Sequence, residues 1–359
     1  MSKIKAYLIF SENEIFPCES CGAQGTAFGE ISCNSSVFGY RNVITDAASE
    51  GYITMLTNPM TGNVGIKAED MDIPIRSAAL ITHDICSAPS NYRCGYTLSE
   101  YLCRHCVPAV AGIDTRALAR RIARFGRIRA AVTTEDITKK DKLTEIISLF
   151  NNAKPVVLSE TESSVSSGNG NRHIVIYNLG GAAREAEAMT TRNMRVTVVP
   201  RTYSAQMICA LNPYGIIISD GSEAAGISDS LKNNIKEIIE LKINTIAVGF
   251  GHIICAAALG AETEELNSGH RGQNYSVLCP VKSRIYVTDQ NHGYTVKNNS
   301  IPRLVGEITQ INLSDLTPEA IRYRGYPLET VQYRPDNTSN EHTTGWIYDE
   351  FTAKCKGDI

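Results

Sequence analysis

The second half of this chain alternates short, almost wholly apolar runs with helical segments, and no other feature narrows the possible folds so much. The runs are His173 to Tyr177, Arg195 to Val199, Gly215 to Ser219 and Asn244 to Val248. A strand that is apolar on both faces must be covered on both, as parallel strands flanked by crossover helices are. The alternation therefore predicts an α/β domain whose mainly parallel sheet is wound through right-handed crossovers and flanked by helices. Open sheets of this kind place ligands at the carboxyl ends of their strands. A site is thus expected in the loops Asn178 to Gly181, Ser219 to Gly226 and Gly249 to His252.

The first half has a different texture. A strand-like run, Ala6 to Phe10, and an apolar pair, Ile15 and Phe16, precede glycine breaks at Gly22, Gly25 and Gly29, and Gly51 to Leu56 again reads as a strand. Thr97 can cap a helix with Leu98, Tyr101, Leu102 and His105 on one face. Asp114 can cap a second, DTRALARRIARFG, stopped by Gly126, with Leu118 and Ile122 inward. Arg116, Arg120, Arg121 and Arg124 cover much of its remaining circumference and read as a solvated face in preference to a phosphate or partner contact. Between the halves, Ser159 to Arg172 (SETESSVSSGNGNR) cannot bury a face and reads as a linker. The expected organisation is a mixed α/β domain over 1–155, a linker over 156–171 and the parallel-sheet domain over 172–359.

Composition excludes several classes. With 359 residues, 43% hydrophobic and 20% charged, the chain can fill two cores, and disorder, collagen and coiled coil are ruled out. Lys and Arg number 35 against 38 Asp and Glu, a net charge of -3, so neither nucleic acid nor an anionic membrane is an expected partner. The apolar run before Ser11 is too short for a signal-peptide core, and no later stretch approaches the roughly 18 apolar residues of a membrane span. A soluble, cytoplasmic protein is expected. Its 11 cysteines read as free thiols in a reducing compartment. The pairs Cys18/Cys21 and Cys103/Cys106 have metal-knuckle spacing but lie far apart along the chain, and no metal site is expected of them.

Particular stretches carry a resemblance. GYRNVITDAAS, TNPMTGNVG, APSNYRCGYTLSEYLCRH and VPAVAGIDTRALARRIARFG occur in order in the first domain; VGFGHIICAAALGA, GHRGQNYSV and TDQNHGYTV follow in the second. Together they resemble the carbamoyl phosphate synthetase small subunit, an amino-terminal small-subunit domain followed by a class I glutamine amidotransferase-like domain, over nearly the whole chain. The resemblance implies a role in carbamoyl phosphate synthesis, and through it in pyrimidine and arginine biosynthesis. It also implies a large synthetase subunit as partner, with ammonia supplied from glutamine by a Cys-His-Glu triad.

At that triad the chain departs from the family. The family's nucleophile elbow, G-I-C-L-G-H-Q, is Ala247-Val248-Gly249-Phe250-Gly251-His252-Ile253 here, so Gly249 stands where the cysteine would attack the amide. The family's Q-G-H-P-E stretch aligns with Gln332-Tyr333-Arg334-Pro335-Asp336. Arg334 replaces the base and cannot give up its proton at neutral pH, and Asp336 replaces the orienting glutamate. The glycine-rich S-N-G-P-G-D-P loop has become Ser219-Asp220-Gly221-Ser222-Glu223-Ala224-Ala225, whose added carboxylates oppose a developing oxyanion. Ile253 replaces a glutamine-contacting Gln, and Ala48 a first-domain serine. Gly221, Gly251, His252, Asn291, His292 and Gly293 remain of the substrate pocket.

No substitute nucleophile is evident. Cys255 lies nearly two helical turns beyond the elbow, about 9 Å of rise, and reads as a core thiol. His292 reads as a turn residue before a catalyst, and no phosphate-binding glycine loop or other cofactor motif is present. The stretches at Asn63 to Gly65, Ser90 to Arg93 and Ile113 to Arg116 follow the family closely, as either fold maintenance or docking would require. The expectation is a glutaminase-inactive homologue acting as a structural or regulatory partner of a large subunit. The alternatives are a working ammonia-supplying small subunit and a repurposed metabolite binder in which Arg334 faces a cavity.

Overall fold

A computed structural model describes residues 4–152, 164–301, 304–340 and 342–358. The chain divides into two compact units, Met1–Val157 with Asn267–Arg271, and Leu158–Leu266 with Gly272–Ile359.

In the first unit the strands close into a barrel. Its order is Lys5–Ser11, Glu14–Ser20, Ala109–Ala111, Ala79–Ile81, Tyr52–Leu56, Thr26–Asn34 and Arg129–Thr133, which returns to the first through Tyr7 opposite Thr133. The strand period of two sorts side chains between cores. Ala6 and Leu8 join Ile31, Ile53, Leu118 and Ile122, while Ile9 joins Ala131, Ile146 and Ile147. Closure lay beyond the sequence reading because it pairs residues distant in the chain, and within Glu14–Ser20 Pro17 lacks a ladder donor. That strand meets Ala109–Ala111 only through Glu19 and Ser20, so Pro17 is accommodated. Gly29, read as a break, lies inside Thr26–Asn34, where a Cβ would stand 2.9 Å from the Gly51 carbonyl oxygen.

Both anticipated helices form, over Leu98–Arg104 and Thr115–Phe125. Thr97 and Glu100 make a reciprocal capping box, Asp114 caps the second through Ala117 N, and Gly126 ends it. Arg116, Arg120 and Arg124 are exposed. Arg121 instead pairs with Glu14 through its Nη1 and Nη2 and lies over the Phe10 ring. All 11 cysteines are free thiols. Burial pushes those of Cys18 and Cys21 up to about 12.

The second unit is built on a sheet with the order Val165–Ser167, Arg195–Pro200, His173–Asn178, Gly215–Ile218, Asn244–Val248, Leu328–Val331, Pro318–Tyr323, Gly306–Asn312, Thr263–Cys279 and Arg284–Val296. The anticipated strands are all present and mutually parallel where they pair. Alternate side chains serve the two faces. Val175, Tyr177, Ile216, Ile218 and Ala247 pack beneath Asp229–Glu240 and Phe250–Ala258. Ile174, Ile176, Ile217, Ile246 and Val248 pack beneath Ala182–Thr191 and Trp346–Lys356. Burying each such side chain is worth about 1.5–3 kcal/mol, which explains why the runs are apolar throughout.

The Ser-rich segment differs from its reading as a linker. Its residues 159–163 lie outside the described residues, but Val165–Ser167 is an edge strand antiparallel to Arg195–Pro200. All three side chains stay exposed, and a short backbone ladder, with Ser166 Oγ 3.0 Å from Thr197 Oγ1, recruits them. Among the described residues no helix is long and apolar enough to cross a membrane.

Candidate active site

The strand Asn244–Val248 runs through Gly249 directly into the helix Phe250–Ala258. Gly249 has φ 56° and ψ -117°, in the left-handed half of backbone space, and its N–H donates to Val331 O at 2.9 Å. A sharp strand-to-helix turn of this kind lifts one side chain above the sheet and leaves the next residue's N–H free to bind an oxyanion. The backbone thus has the geometry of a nucleophile elbow, with a glycine at its apex.

The space above this glycine is filled. A Cβ on Gly249 would lie 2.0 Å from Asp220 Oδ1 and 2.3 Å from its Cγ, so the Asp220 carboxylate occupies the space a side chain at the elbow would need. Oδ1 accepts from Phe250 N at 2.9 Å and from Gly221 N at 2.8 Å, while Oδ2 accepts from Arg334 Nε at 2.9 Å. The donor that an elbow offers to a reacting carbonyl is thus already bound to an internal anion. Both partners of the Arg334–Asp220 pair are about nine-tenths buried, at 10% and 11% exposure. The ion pair is shielded from solvent, so removing either partner would leave the other as a buried uncompensated charge.

The three loops anticipated at the strand ends do converge. Gly181 N donates to Asp220 O at 2.8 Å, and Gly180 bridges Gly221. Gly221 permits this approach, since a Cβ there would stand 2.1 Å from Leu179 O. Ser219, fully buried, accepts from Leu179 N at 2.9 Å and donates to Asp220 O at 2.8 Å, pinning one loop to the other.

Arg334 does not pair with Asp336. Its second contact is Asp289 at 4.0 Å, and Asp289 also faces Arg184 at 3.5 Å. Asp336 turns away to accept from Thr344 N and Oγ1 at 2.9 and 2.8 Å. Glu223 Oε2 accepts from Gly293 N at 2.6 Å. His292 Nδ1 lies 2.9 Å from Tyr294 O and Nε2 lies 3.2 Å from Gln290 Oε1, so both ring nitrogens are engaged within its own strand. Asn291 is buried beside it on that strand.

His252 is fully buried, its Nδ1 2.8 Å from Thr330 Oγ1, and desolvation pushes it down to about 3, which keeps it neutral. Gly251 packs at the base of the elbow, where a Cβ would lie 2.5 Å from Ile218 O. Cys255 is fully buried in the apolar cluster around Ile253 and Ile254, and desolvation raises its thiol strongly. It is a core residue.

Sequence reasoning missed Glu185. This carboxyl on Ala182–Thr191 is 2% exposed, and its Oε1 accepts a long bond, 3.4 Å, from Asp220 N. Burial first and the Asp220 charge second push it up to about 7. A signal was available, because Ala182, Glu185 and Met189 share one helical stripe and a carboxylate on an apolar stripe needs a reason.

The elbow, the converging loops and the half-parallel sheet define a class I glutamine amidotransferase domain, and a family profile with the description Glutamine amidotransferase class-I matches residues 182–354. Residues 8–132 match Carbamoyl-phosphate synthase small chain, CPSase domain. A carbamoyl phosphate synthase small chain from Oceanobacillus iheyensis is 33% identical over 356 residues, covering 98% of this chain and 96% of the relative. Those from a Nostoc species and from Archaeoglobus fulgidus are each 31% identical, with 98% and 97% of this chain and 95% and 98% of the relatives covered. The chain belongs to the carbamoyl phosphate synthase small chain family.

Proposed function

We propose that this chain is a small chain that does not hydrolyse glutamine and that serves a synthetase large chain as a non-catalytic structural or regulatory partner. One observation carries the proposal: the Asp220 carboxylate, held by Phe250 N and Arg334, stands where the elbow side chain would be. Thioester chemistry needs a nucleophile within about 3 Å of the amide carbonyl and a free donor for its oxygen, and this elbow offers neither. Replacement of a triad base by Arg334 points the same way, because a guanidinium tied to a carboxylate abstracts no proton.

The supporting case for partnership is the full-length match to small chains, with both domains retained. The same match favours the second reading, a working small chain that releases ammonia through other residues. Arg334 as the anchor of a metabolite site loses support, since Asp220 already satisfies it inside the protein. Ammonia release from glutamine by the purified chain, alone and with the large chain from the same source, decides between the first two. The expected result is none above the enzyme-free blank, while the chain co-purifies with the large chain. Turnover by the unmutated protein would establish the working small chain instead.

A further inference from the structure

The helix Thr115–Phe125 carries four arginines and no acid of its own. The cap before it, Asp114, has its Oδ1 engaged by Ala117 N. Arg121 is held inside the unit by Glu14 and the Phe10 ring. Arg116, Arg120 and Arg124 are exposed, and none of the three pairs with a carboxylate among the described residues. Standing at i, i+4 and i+8, they form one ridge with a step of about 6 Å and a length of about 12 Å. The other exposed residues of the helix are Ala117, Ala123 and Phe125. Phe125, at the end of the ridge, is 71% exposed, and the Arg124 guanidinium lies over its ring at 5.1 Å.

In the chain alone this face works against its own helix. Like charges four residues apart repel, and Arg116 in the first turn lies at the positive end of the helix dipole. Leu118 and Ile122 hold the helix on the barrel, so the fold is kept by the buried stripe and not by the arginines. The whole chain has a net charge of -3, which makes this positive charge a local concentration. An arginine fork takes a carboxylate through two parallel hydrogen bonds, and arginines and aromatic rings are enriched where proteins associate. Three forks about 6 Å apart match carboxylates spaced four residues apart on a facing helix. We propose that the arginine face of Thr115–Phe125 docks this chain onto the large chain, against an acidic stretch of that partner whose carboxylates repeat at about this spacing, with Phe125 as the apolar contact at its end. A nucleic acid is the poorer complement, because a chain of net negative charge repels a polyanion everywhere beyond this short ridge. The identity of the partner rests on the partnership proposed above; the ridge and its uncompensated charge do not.

Titration calorimetry of the full chain against the large chain from the same source reads the docking directly. For the unmutated chain, affinity is expected to fall by about tenfold or more between about 50 mM and about 500 mM salt, as contacts between exposed charges are screened. Replacing Arg116, Arg120 and Arg124 together by Gln is expected to lower affinity at about 50 mM salt by about tenfold or more and to flatten that salt dependence. Lys5, Lys139 and Lys242 are exposed as well, and replacing those three by Gln removes the same charge elsewhere and should leave affinity within about threefold. Because the arginine variant also loses the repulsion along the ridge, its urea midpoint should be unchanged or higher. If it does not fold, Arg120→Glu alone carries the test with the same expected loss. An arginine variant that binds the large chain as tightly as the unmutated protein would overturn the docking face and leave the partnership standing, and so would one that keeps the large chain and loses only a mixed-sequence DNA duplex. An unmutated chain that does not bind the large chain would end the partnership and this docking face together.

Discussion

At residue 249 a missing side chain and a misplaced carboxylate form one arrangement. Gly249→Cys would put a Cβ at φ 56° and 2.0 Å from Asp220 Oδ1, so the single change is expected to destabilise the protein by about 1–3 kcal/mol and to restore no glutaminase activity. Combined with Asp220→Gly the cost should shrink, with a favourable coupling of about 1 kcal/mol or more in urea unfolding. A coupling near zero would mean that Asp220 does not fill the elbow. Glu185 makes a second prediction. Its carboxyl titrates at about 7 in the fold against an ordinary 4.5, so the folded state keeps a proton that the unfolded chain gives up. Its contribution is complete below about pH 4.5 and is lost as pH rises through about 7, a change on the order of 3 kcal/mol. Urea unfolding at about pH 5 and about pH 8 should show this fall in the unmutated protein, and a distinctly smaller one in Glu185→Gln.

Elements are held at their ends. Thr97 Oγ1 accepts from Glu100 N at 3.2 Å while Thr97 N donates to Glu100 Oε2 at 2.7 Å, and Thr97→Ala should cost about 1 kcal/mol in thermal unfolding. Arg192, at the end of Ala182–Thr191, donates to Ala188 O and Asn337 O at 2.9 Å each, to Gly345 O at 3.2 Å and to Asp349 Oδ1 at 2.7 Å. It joins that helix to the start of Trp346–Lys356. An ammonium cannot reproduce this planar fork, so Arg192→Lys is expected to lose about 1–3 kcal/mol, and a chemical-denaturation midpoint unchanged by it would refute the clamp. The capping of Leu98–Arg104 and Thr115–Phe125 was legible because cap, apolar stripe and stop are local. The edge strand Val165–Ser167 was not, since a ladder of backbone bonds leaves no mark on side-chain composition.

For the whole molecule, association and pocket chemistry separate. If the fold serves docking, Asp220→Gly and Glu185→Gln should leave affinity for the large chain within about threefold, as read by titration calorimetry, and a loss beyond about tenfold would tie the pocket to docking. The sequence by itself determined the parallel strands, their order of appearance, the loops that build the site and the glycine at position 249. Each of these follows from apolar periodicity or from the identity of one residue at a recognisable motif. Only the tertiary structure decided that the first-unit strands close into a barrel, because closure depends on pairing between residues distant in the chain, such as Tyr7 and Thr133. It decided likewise that Asp220 fills the elbow, that Arg334 turns to Asp220 in place of Asp336, and that Glu185 lies buried against them. Three separate segments must meet before the Asp220 carboxylate can take both the Arg334 guanidinium and the Glu185 carboxyl as neighbours, and no local pattern encodes that meeting.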